Sequence, residues 1–126
     1  MKKYFILMRV LLVDDDAIHL LLLQKIFERE NVTVEVARNG HEALRILEFD
    51  SDFSVILTDM MMPDMDGVEF LSHIHQSSQL SRIPIIGFTS GDLNFYKEKA
   101  LDQLNFLVSK TSDFYELFTL AQESVA

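Results

Sequence analysis

Five short apolar runs, separated by segments with helical periodicity, set the main constraint on how this chain of 126 residues can fold. The runs are Val10–Val13, Val32–Val36, Val55–Leu57, Ile83–Phe88 and Phe106–Val108. Four of them are nearly continuous in apolar character, which is typical of strands covered on both faces. The second run alternates apolar and polar residues and therefore predicts an edge strand. The chain thus alternates strands and helices in the order βαβαβαβαβα.

Capping residues mark where each predicted helix begins. The starts are expected at Asp16, at Asn39-Gly40, at Asp66, at Ser90 or Asp92, and at Ser112 or Asp113. The first and third helices should reach about Glu30 and His75, and the fourth about Asp102. Glu116 follows Asp113 by three residues and completes a capping box for the fifth. Right-handed crossovers then give a parallel sheet with helices on both faces, a doubly wound α/β fold.

Acidic residues directly follow two of the predicted strands. Asp14-Asp15-Asp16 comes after the first strand, and Asp59 comes after the third. In the doubly wound order 2-1-3-4-5 these two strands are neighbours, and the ligand crevice lies beyond their carboxyl ends. Because carboxylates crowded into one space repel each other, the cluster calls for a cation. The pattern therefore indicates a carboxylate nucleophile assisted by a metal ion.

Composition argues against several classes of function. The formal net charge of −9 opposes direct binding to nucleic acid and docking on anionic membranes. The sequence contains no cysteine, which excludes disulfides and thiol catalysis. Lys2-Lys3 precedes a short apolar stretch, but Arg9 interrupts it and no small-residue cleavage site follows, so we reject a signal peptide. No apolar run approaches the length of a membrane span, and a cytoplasmic protein is expected.

Four motifs in order, each at the end of a predicted strand, resemble the response regulator receiver domain. They are Val13-Asp14-Asp15-Asp16, the stretch from Asp59 to Gly67, Thr89 after Ile85–Phe88, and Lys110 after Phe106–Ser109. The resemblance runs from about Arg9 to about Val125 and implies a single receiver domain over 1–126. It implies the flavodoxin-like fold: a doubly wound, five-stranded parallel sheet of order 2-1-3-4-5 flanked by five helices. The chain would be a stand-alone or excised receiver domain of a two-component system, with no DNA-binding or enzymatic output module.

The resemblance also implies a role for each residue of the site. Asp59 would be the phospho-acceptor that attacks a phosphohistidine, and Thr89 and Lys110 would bind the phosphoryl group. Asp14, Asp15, Asp59 and the backbone carbonyl of Met61 would hold Mg²⁺ (or Mn²⁺), which suits a cation that takes one or two carboxylates and keeps several waters. The chain would not be an enzyme in its own right, because it would only catalyse its own acceptance of a phosphoryl group from a donor and its own slow dephosphorylation.

The sequence departs from the family pattern near the predicted lysine. Thr111 follows Lys110 where the family usually has proline, and a trans bond is expected there because a cis bond before a non-proline residue costs about 2.5–4 kcal/mol. Leu107 occupies the position of the usual aromatic switch residue. These departures leave open a pseudo-receiver that binds partners unphosphorylated. A second alternative is a small Mg²⁺-dependent phosphatase with an aspartate nucleophile, although Ile18 stands where that family expects threonine.

The resemblance implies several partners. The phosphoryl donor would be a sensor histidine kinase or a histidine phosphotransfer protein, and a downstream protein would read the signal. The face of the fourth helix, fifth strand and fifth helix would form a partner or homodimer surface, for which the candidates are Phe95, Tyr96, Tyr115 and Leu120.

On the first helix we expect Leu22, Leu23, Ile26 and Phe27 to pack inward. Leu20 and Leu21 should then lie near the rim of the site and dock the donor. His19 is expected to be a packing or partner-facing residue, and the further alternative is a residue that tunes the site.

Overall fold

The computed structural model describes residues 8–100, 102–110 and 113–125. Its strands are β1 (Arg9–Val13), β2 (Thr33–Ala37), β3 (Val55–Asp59), β4 (Ile85–Thr89) and β5 (Phe106–Ser109). Its α-helices are α1 (Ala17–Arg29), α2 (Gly40–Phe49), α3 (Gly67–His75), α4 (Leu93–Lys99) and α5 (Phe114–Val125). A short 3₁₀ turn, which the sequence patterns did not predict, covers Leu80–Arg82.

The five strands form one parallel sheet in the order β2-β1-β3-β4-β5, which confirms the predicted topology. Alternate side chains of the sheet face two separate apolar layers. Leu12 and Leu57 pack with α1 and α5 on one face, while Leu11 and Ile56 pack with α2, α3 and α4 on the other. The sheet is therefore covered on both sides, and the carboxyl ends of all five strands lie at the same end of the sheet, which we call its carboxyl edge.

The strands differ in burial as their positions in the sheet require. β3 and β4 are buried throughout, and β2 alternates in exposure at one edge, as predicted. β5 was grouped with the covered strands, but it lies at the other edge and is only half-buried. β4 begins at Ile85 rather than at Ile83, because Pro84 has no backbone N–H to donate to a neighbouring strand.

The predicted caps agree with the observed helix starts. Side-chain oxygens of Asp16, Asn39, Asp66 and Asp92 each accept backbone N–H groups of the first helical turn. At the start of α5, Asp113 Oδ1 accepts the N–H of Tyr115 at 2.9 Å. α4 ends at Lys99, earlier than the predicted Asp102, since Ala100 has already left helical geometry. Ser112 and Thr111, and with them the expected trans bond, lie outside the described residues.

One expectation for α1 is wrong. Leu20 is buried, at 5% exposure, and Leu22 is 40% exposed, which is the reverse of the predicted arrangement. The inward stripe consists of Leu20, Leu23 and Phe27, which are spaced three and four residues apart as one helix face requires. Leu21 is exposed, as expected. No helix in the described parts of the chain combines the length and the apolar character needed to cross a membrane.

Candidate functional site

Two aspartates are brought together at the carboxyl edge of the sheet by the pairing of β1 with β3. Val13 lies opposite Thr58 in that pairing, so Asp14 and Asp59 occupy neighbouring positions at the strand ends. Both are buried, whereas Asp15 is exposed at the mouth of the site. Carboxylate oxygens of Asp14, Asp15 and Asp59 all lie within 4.8 Å of one another. We call these three residues the acidic cluster.

Lys110 reaches the acidic cluster from the end of β5. Its Nζ lies 3.1 Å from the carboxylate of Asp14 and 3.2 Å from Asp59 Oδ2. Its backbone N–H donates to the carbonyl of Thr89 at 2.8 Å, which fixes the base of the side chain beside β4. Burial opposes the charge of Lys110, but the negative charges of Asp59 and Asp14 outweigh it and raise the pKa of the ammonium group. The lysine is therefore a fixed positive charge between two carboxylates.

The two buried carboxyl groups differ in their proton affinity. Burial raises the pKa of Asp59 to about 7, and the neighbouring Asp14 adds to this effect. The N–H of Met61, which donates to Asp59 Oδ1 at 3.0 Å, and the charge of Lys110 oppose the rise. One member of the pair consequently holds a proton near neutral pH unless further positive charge is present.

Asp14 is the member that stays ionised. Burial disfavours its charge, but the hydrogen bond from His19 and the backbone N–H of Asp16 overcome burial and lower the pKa of Asp14. A hydrogen bond from Asp59 and the charge of Lys110 add to this lowering. Asp14 therefore carries a negative charge in the buried part of the cluster.

Thr89 ends β4 beside the cluster and is fully buried. Its Oγ1 accepts the N–H of Gly91 at 2.9 Å, and the hydroxyl keeps its own hydrogen to donate. Thr89 pairs with Ser109 in the sheet, immediately before Lys110. The hydroxyl and the ammonium group thus come from adjacent strands at the same edge, as the sequence pattern predicted for them.

The loop after Asp59 is held by close packing at its far end. Gly67 N donates to Met60 O at 3.0 Å, and a Cβ on Gly67 would lie only 2.7 Å from Met60 Cα and 2.9 Å from Asp59 O. Asp64 adopts a φ of 69°, a left-handed conformation that aspartate tolerates better than most residues. The loop geometry therefore fixes the backbone of Met61 against the phospho-acceptor candidate.

The donor atoms of the acidic cluster suit a hard divalent cation. Three carboxylates supply oxygen only, which favours Mg²⁺, Mn²⁺ or Ca²⁺ over zinc or copper. Within the described ranges this is the single group of three or more potential metal ligands. His41, His73 and His75 are exposed on helices and lie outside it. The predicted ligands Asp14, Asp15 and Asp59 are therefore together, with the backbone of Met61 next to Asp59.

Comparison with known proteins gives one consistent result. A family model for the response regulator receiver domain matches residues 10–122. The chain belongs to this family. The receiver domain is 31% identical over 114 residues to "Two-component response regulator ORR11" of rice (Oryza sativa subsp. indica), covering 87% of this chain and 78% of the relative. It also matches a "receiver domain protein (CheY-like)" structure from Methanospirillum hungatei JF-1, with 28% identity, 94% coverage of both chains and a TM-score of 0.86.

A further relative is a much longer protein. The receiver domain is 35% identical over 94 residues to "Signal transduction histidine-protein kinase BarA" of Escherichia coli K12. The match covers 75% of this chain but only 10% of that protein. The family resemblance expected from the motifs is thus confirmed, and the chain is a receiver domain of two-component signalling.

His19 is the site neighbour whose contact the sequence patterns missed. Its Nδ1 lies 2.5 Å from Asp14 Oδ2, and the side chain is buried. The sequence placed it on the first helix, as a packing or partner-facing residue or, in the further alternative, as a residue that tunes the site, and it predicted no contact with Asp14. A usable signal was its position five residues after Asp14, in the first turn of a helix that starts directly beyond the strand end.

Proposed function

We propose that this receiver domain accepts a phosphoryl group on Asp59 and signals by changing its conformation. A carboxylate oxygen of Asp59 attacks the phosphorus of a phosphohistidine donor. The new O–P bond forms as the P–N bond breaks, and the donor imidazole keeps the electron pair and takes a proton from solvent. The observation that carries the proposal is the bridge from Lys110 to the two buried carboxylates of the acidic cluster, Asp59 and Asp14.

The side chains around Asp59 suit a transfer that depends on positioning and charge neutralisation. The N–H of Met61 orients one oxygen of Asp59. Lys110 and the hydroxyl of Thr89 would meet the oxygens of the arriving phosphoryl group, the first as a point charge and the second as a hydrogen-bond donor. The acidic cluster and the Met61 carbonyl would hold Mg²⁺, which would supply the remaining positive charge and favour the ionised form of Asp59.

Signalling follows from the position of Thr89 and Lys110. Both lie at the ends of strands that lead into α4 and α5, so contacts with a phosphoryl group would favour a different arrangement of these elements. Moving a two-state equilibrium from 1:99 to 99:1 needs about 5.5 kcal/mol of differential binding. Charge-assisted hydrogen bonds at about 1.5–3 kcal/mol each are sufficient if a few form. Leu107, half-buried on β5, takes the place of an aromatic switch residue and would move with that strand.

The face of α4, β5 and α5 would carry the signal to a partner protein or to a second copy of the chain. Its exposed apolar residues are Phe95, Phe106 and Tyr115. Tyr96, which was expected on the same surface, is buried. The exposed side chains are large and apolar enough to anchor a protein interface.

A histidine kinase or phosphotransfer protein would dock on α1. Ile18, Leu21 and Leu22 are 70%, 52% and 40% exposed and lie within one turn of one another. This apolar patch replaces the predicted pair, since Leu20 is buried. The N–H of Ile18 donates to Oδ1 of Asp16, which directly follows Asp14 and Asp15 of the acidic cluster, so the patch begins close to that cluster in the chain. A donor held there would bring its phosphohistidine towards Asp59.

The cytoplasm, where such donors present their histidines, is the proposed location.

Acetyl phosphate with Mg²⁺ tests the proposal against its alternatives. A receiver should retain about one phosphoryl group per chain and release phosphate slowly, as intact-mass spectrometry and a phosphate-release assay would record. Release of many equivalents per chain in the same interval would instead indicate a phosphatase. Failure to take up phosphate, with Mg²⁺ bound, would indicate a module that binds its partners unphosphorylated.

A further inference from the structure

His19 lies in direct contact with the acidic cluster although it contributes no ligand to it. Its Nδ1 is 2.5 Å from Asp14 Oδ2, while Asp14 Oδ1 accepts the backbone N–H of Asp16 at 3.0 Å. A carboxylate only accepts hydrogen bonds, so Nδ1 carries the hydrogen in this contact. The two oxygens of Asp14 are therefore held from two different directions, and the plane of the carboxylate is fixed.

The imidazole ring of His19 is itself held in place by aromatic side chains. Phe88 of β4 lies with its ring centroid 5.0 Å away, and Phe114 of α5 lies 5.2 Å away in an edge-on arrangement. The ring is thus clamped between the sheet and a second helix. Such a clamp fixes the direction of the Nδ1–H bond in a way that a solvent-exposed histidine would not.

The second ring nitrogen indicates that packing alone does not explain the residue. Nε2 is buried and has no hydrogen-bond partner in the described parts of the chain. A buried polar atom without a partner lowers stability, so an apolar side chain of similar size would serve packing better. What the histidine adds at this position is the donor at Nδ1, aimed at Asp14.

We infer that His19 is a positioning residue that orients Asp14 towards the bound divalent cation and towards Lys110. The inference rests on the proposed metal site. Residues that hold a metal-binding side chain from behind restrict its rotation, and their loss weakens metal affinity by about 10–100-fold. Without His19, the carboxylate of Asp14 would be held only by the backbone N–H of Asp16 and by the ammonium group of Lys110. The ammonium group lies 3.1 Å from both oxygens and does not select one orientation of the carboxylate. The carboxylate would then match neither the cation nor the ammonium group well.

Three substitutions separate the Nδ1 donor from the size of the side chain. His19→Asn places an amide N–H₂ where Nδ1 stands, His19→Gln places it where Nε2 stands, and His19→Leu has no donor. His73→Leu removes an exposed histidine on α3 and serves as the matched control. Binding of Mg²⁺ to the full chain is followed by titration of backbone amide NMR signals. Unfolding in urea with EDTA reports stability separately from metal binding.

The inference predicts a definite order of Mg²⁺ affinities. His19→Asn and His73→Leu should bind within about threefold of the unsubstituted chain, and His19→Gln and His19→Leu about 10–100-fold more weakly. Equal affinity in all three His19 variants would overturn the inference, and so would an Asn variant as weak as the Leu variant. If the Leu variant does not fold, the Mg²⁺ affinities of the Asn and Gln variants test the inference, and equal affinities of these two variants would overturn it. Absence of Mg²⁺ binding by the unsubstituted chain would overturn the proposed metal site itself, and this inference with it.

Discussion

Replacing Asp59 by asparagine should stabilise the metal-free domain, and the gain should grow with pH. The pKa of Asp59 is raised from 3.8 to about 7, chiefly by burial. The folded state therefore binds this proton more tightly than the unfolded state. Stability is unaffected by this group well below pH 4, decreases as the pH rises from about 4 to about 7, and stays lower above that. An asparagine side chain at this position cannot ionise and would escape this loss.

The expected magnitude follows from the two pKa values. The full difference corresponds to about 4 kcal/mol, of which about 2–3 kcal/mol develops between about pH 5 and about pH 8. Asp15, beside Asp59 in the acidic cluster, is exposed, so solvent close to the site screens part of the charge. We therefore expect the stability advantage of Asp59→Asn to widen by about 2 kcal/mol over this pH interval, which is roughly 8 °C in melting temperature for a domain of this size.

Urea unfolding in EDTA at several pH values measures this widening directly. Effects of the substitution that do not depend on pH cancel in the comparison, because both proteins are measured at each pH. Asp102→Asn, which removes a charge from an exposed turn, is the control and should show no comparable widening. An advantage of Asp59→Asn that stays constant or shrinks between about pH 5 and about pH 8 would refute the account of Asp59 as a destabilised buried carboxylate.

Three further predictions follow from the same geometry. Gly67→Ala should destabilise the domain by about 1–3 kcal/mol, because the added methyl group meets backbone atoms. Gly40→Ala should lower the free energy of unfolding less, because its methyl group meets only the side chain of Met65. Urea unfolding measures both. Mg²⁺ and a proton compete for the buried carboxyl pair, so the Mg²⁺ affinity measured by NMR titration should rise by up to about tenfold per pH unit below about pH 7. Above about pH 7 the affinity should become constant. An affinity that does not change with pH would argue against the competition. The double substitution Ile18→Asp and Leu21→Asp should slow phosphoryl transfer from a protein donor but not from acetyl phosphate. Phe49→Asp on α2 is the control, since it also places a charge at an exposed apolar position. Equal slowing with both donors would contradict a docking role for the α1 patch.

The fold was predictable because its pattern repeats along the chain. Each buried strand is a run of apolar residues, each helix start carries a capping side chain, and right-handed crossovers leave few arrangements of five parallel strands. The strand ends then determine where Asp14, Asp59, Thr89 and Lys110 meet. Strand order alone predicted that Asp14 and Asp59 meet, whereas the resemblance to the receiver family was needed to name Thr89 and Lys110.

Details that depend on side-chain packing could not be read in the same way. Leu20 and Leu22 have the same character in sequence, and only the rotation of α1 on the sheet decides which is buried. The contact of His19 with Asp14 depends on that same rotation, together with Phe88 and Phe114 on other elements. The half-exposure of β5 reflects its place at the edge of the sheet rather than its composition.

Mapping the phosphorylated residue would show whether Asp59 is the phospho-acceptor. The domain is incubated with acetyl phosphate and Mg²⁺, and its intact mass is compared with that of Asp59→Asn and of the unsubstituted chain in EDTA. We expect one added phosphoryl group in the unsubstituted chain with Mg²⁺, none in EDTA, and none in Asp59→Asn. Phosphorylation of Asp59→Asn to the same level as the unsubstituted chain would contradict this expectation.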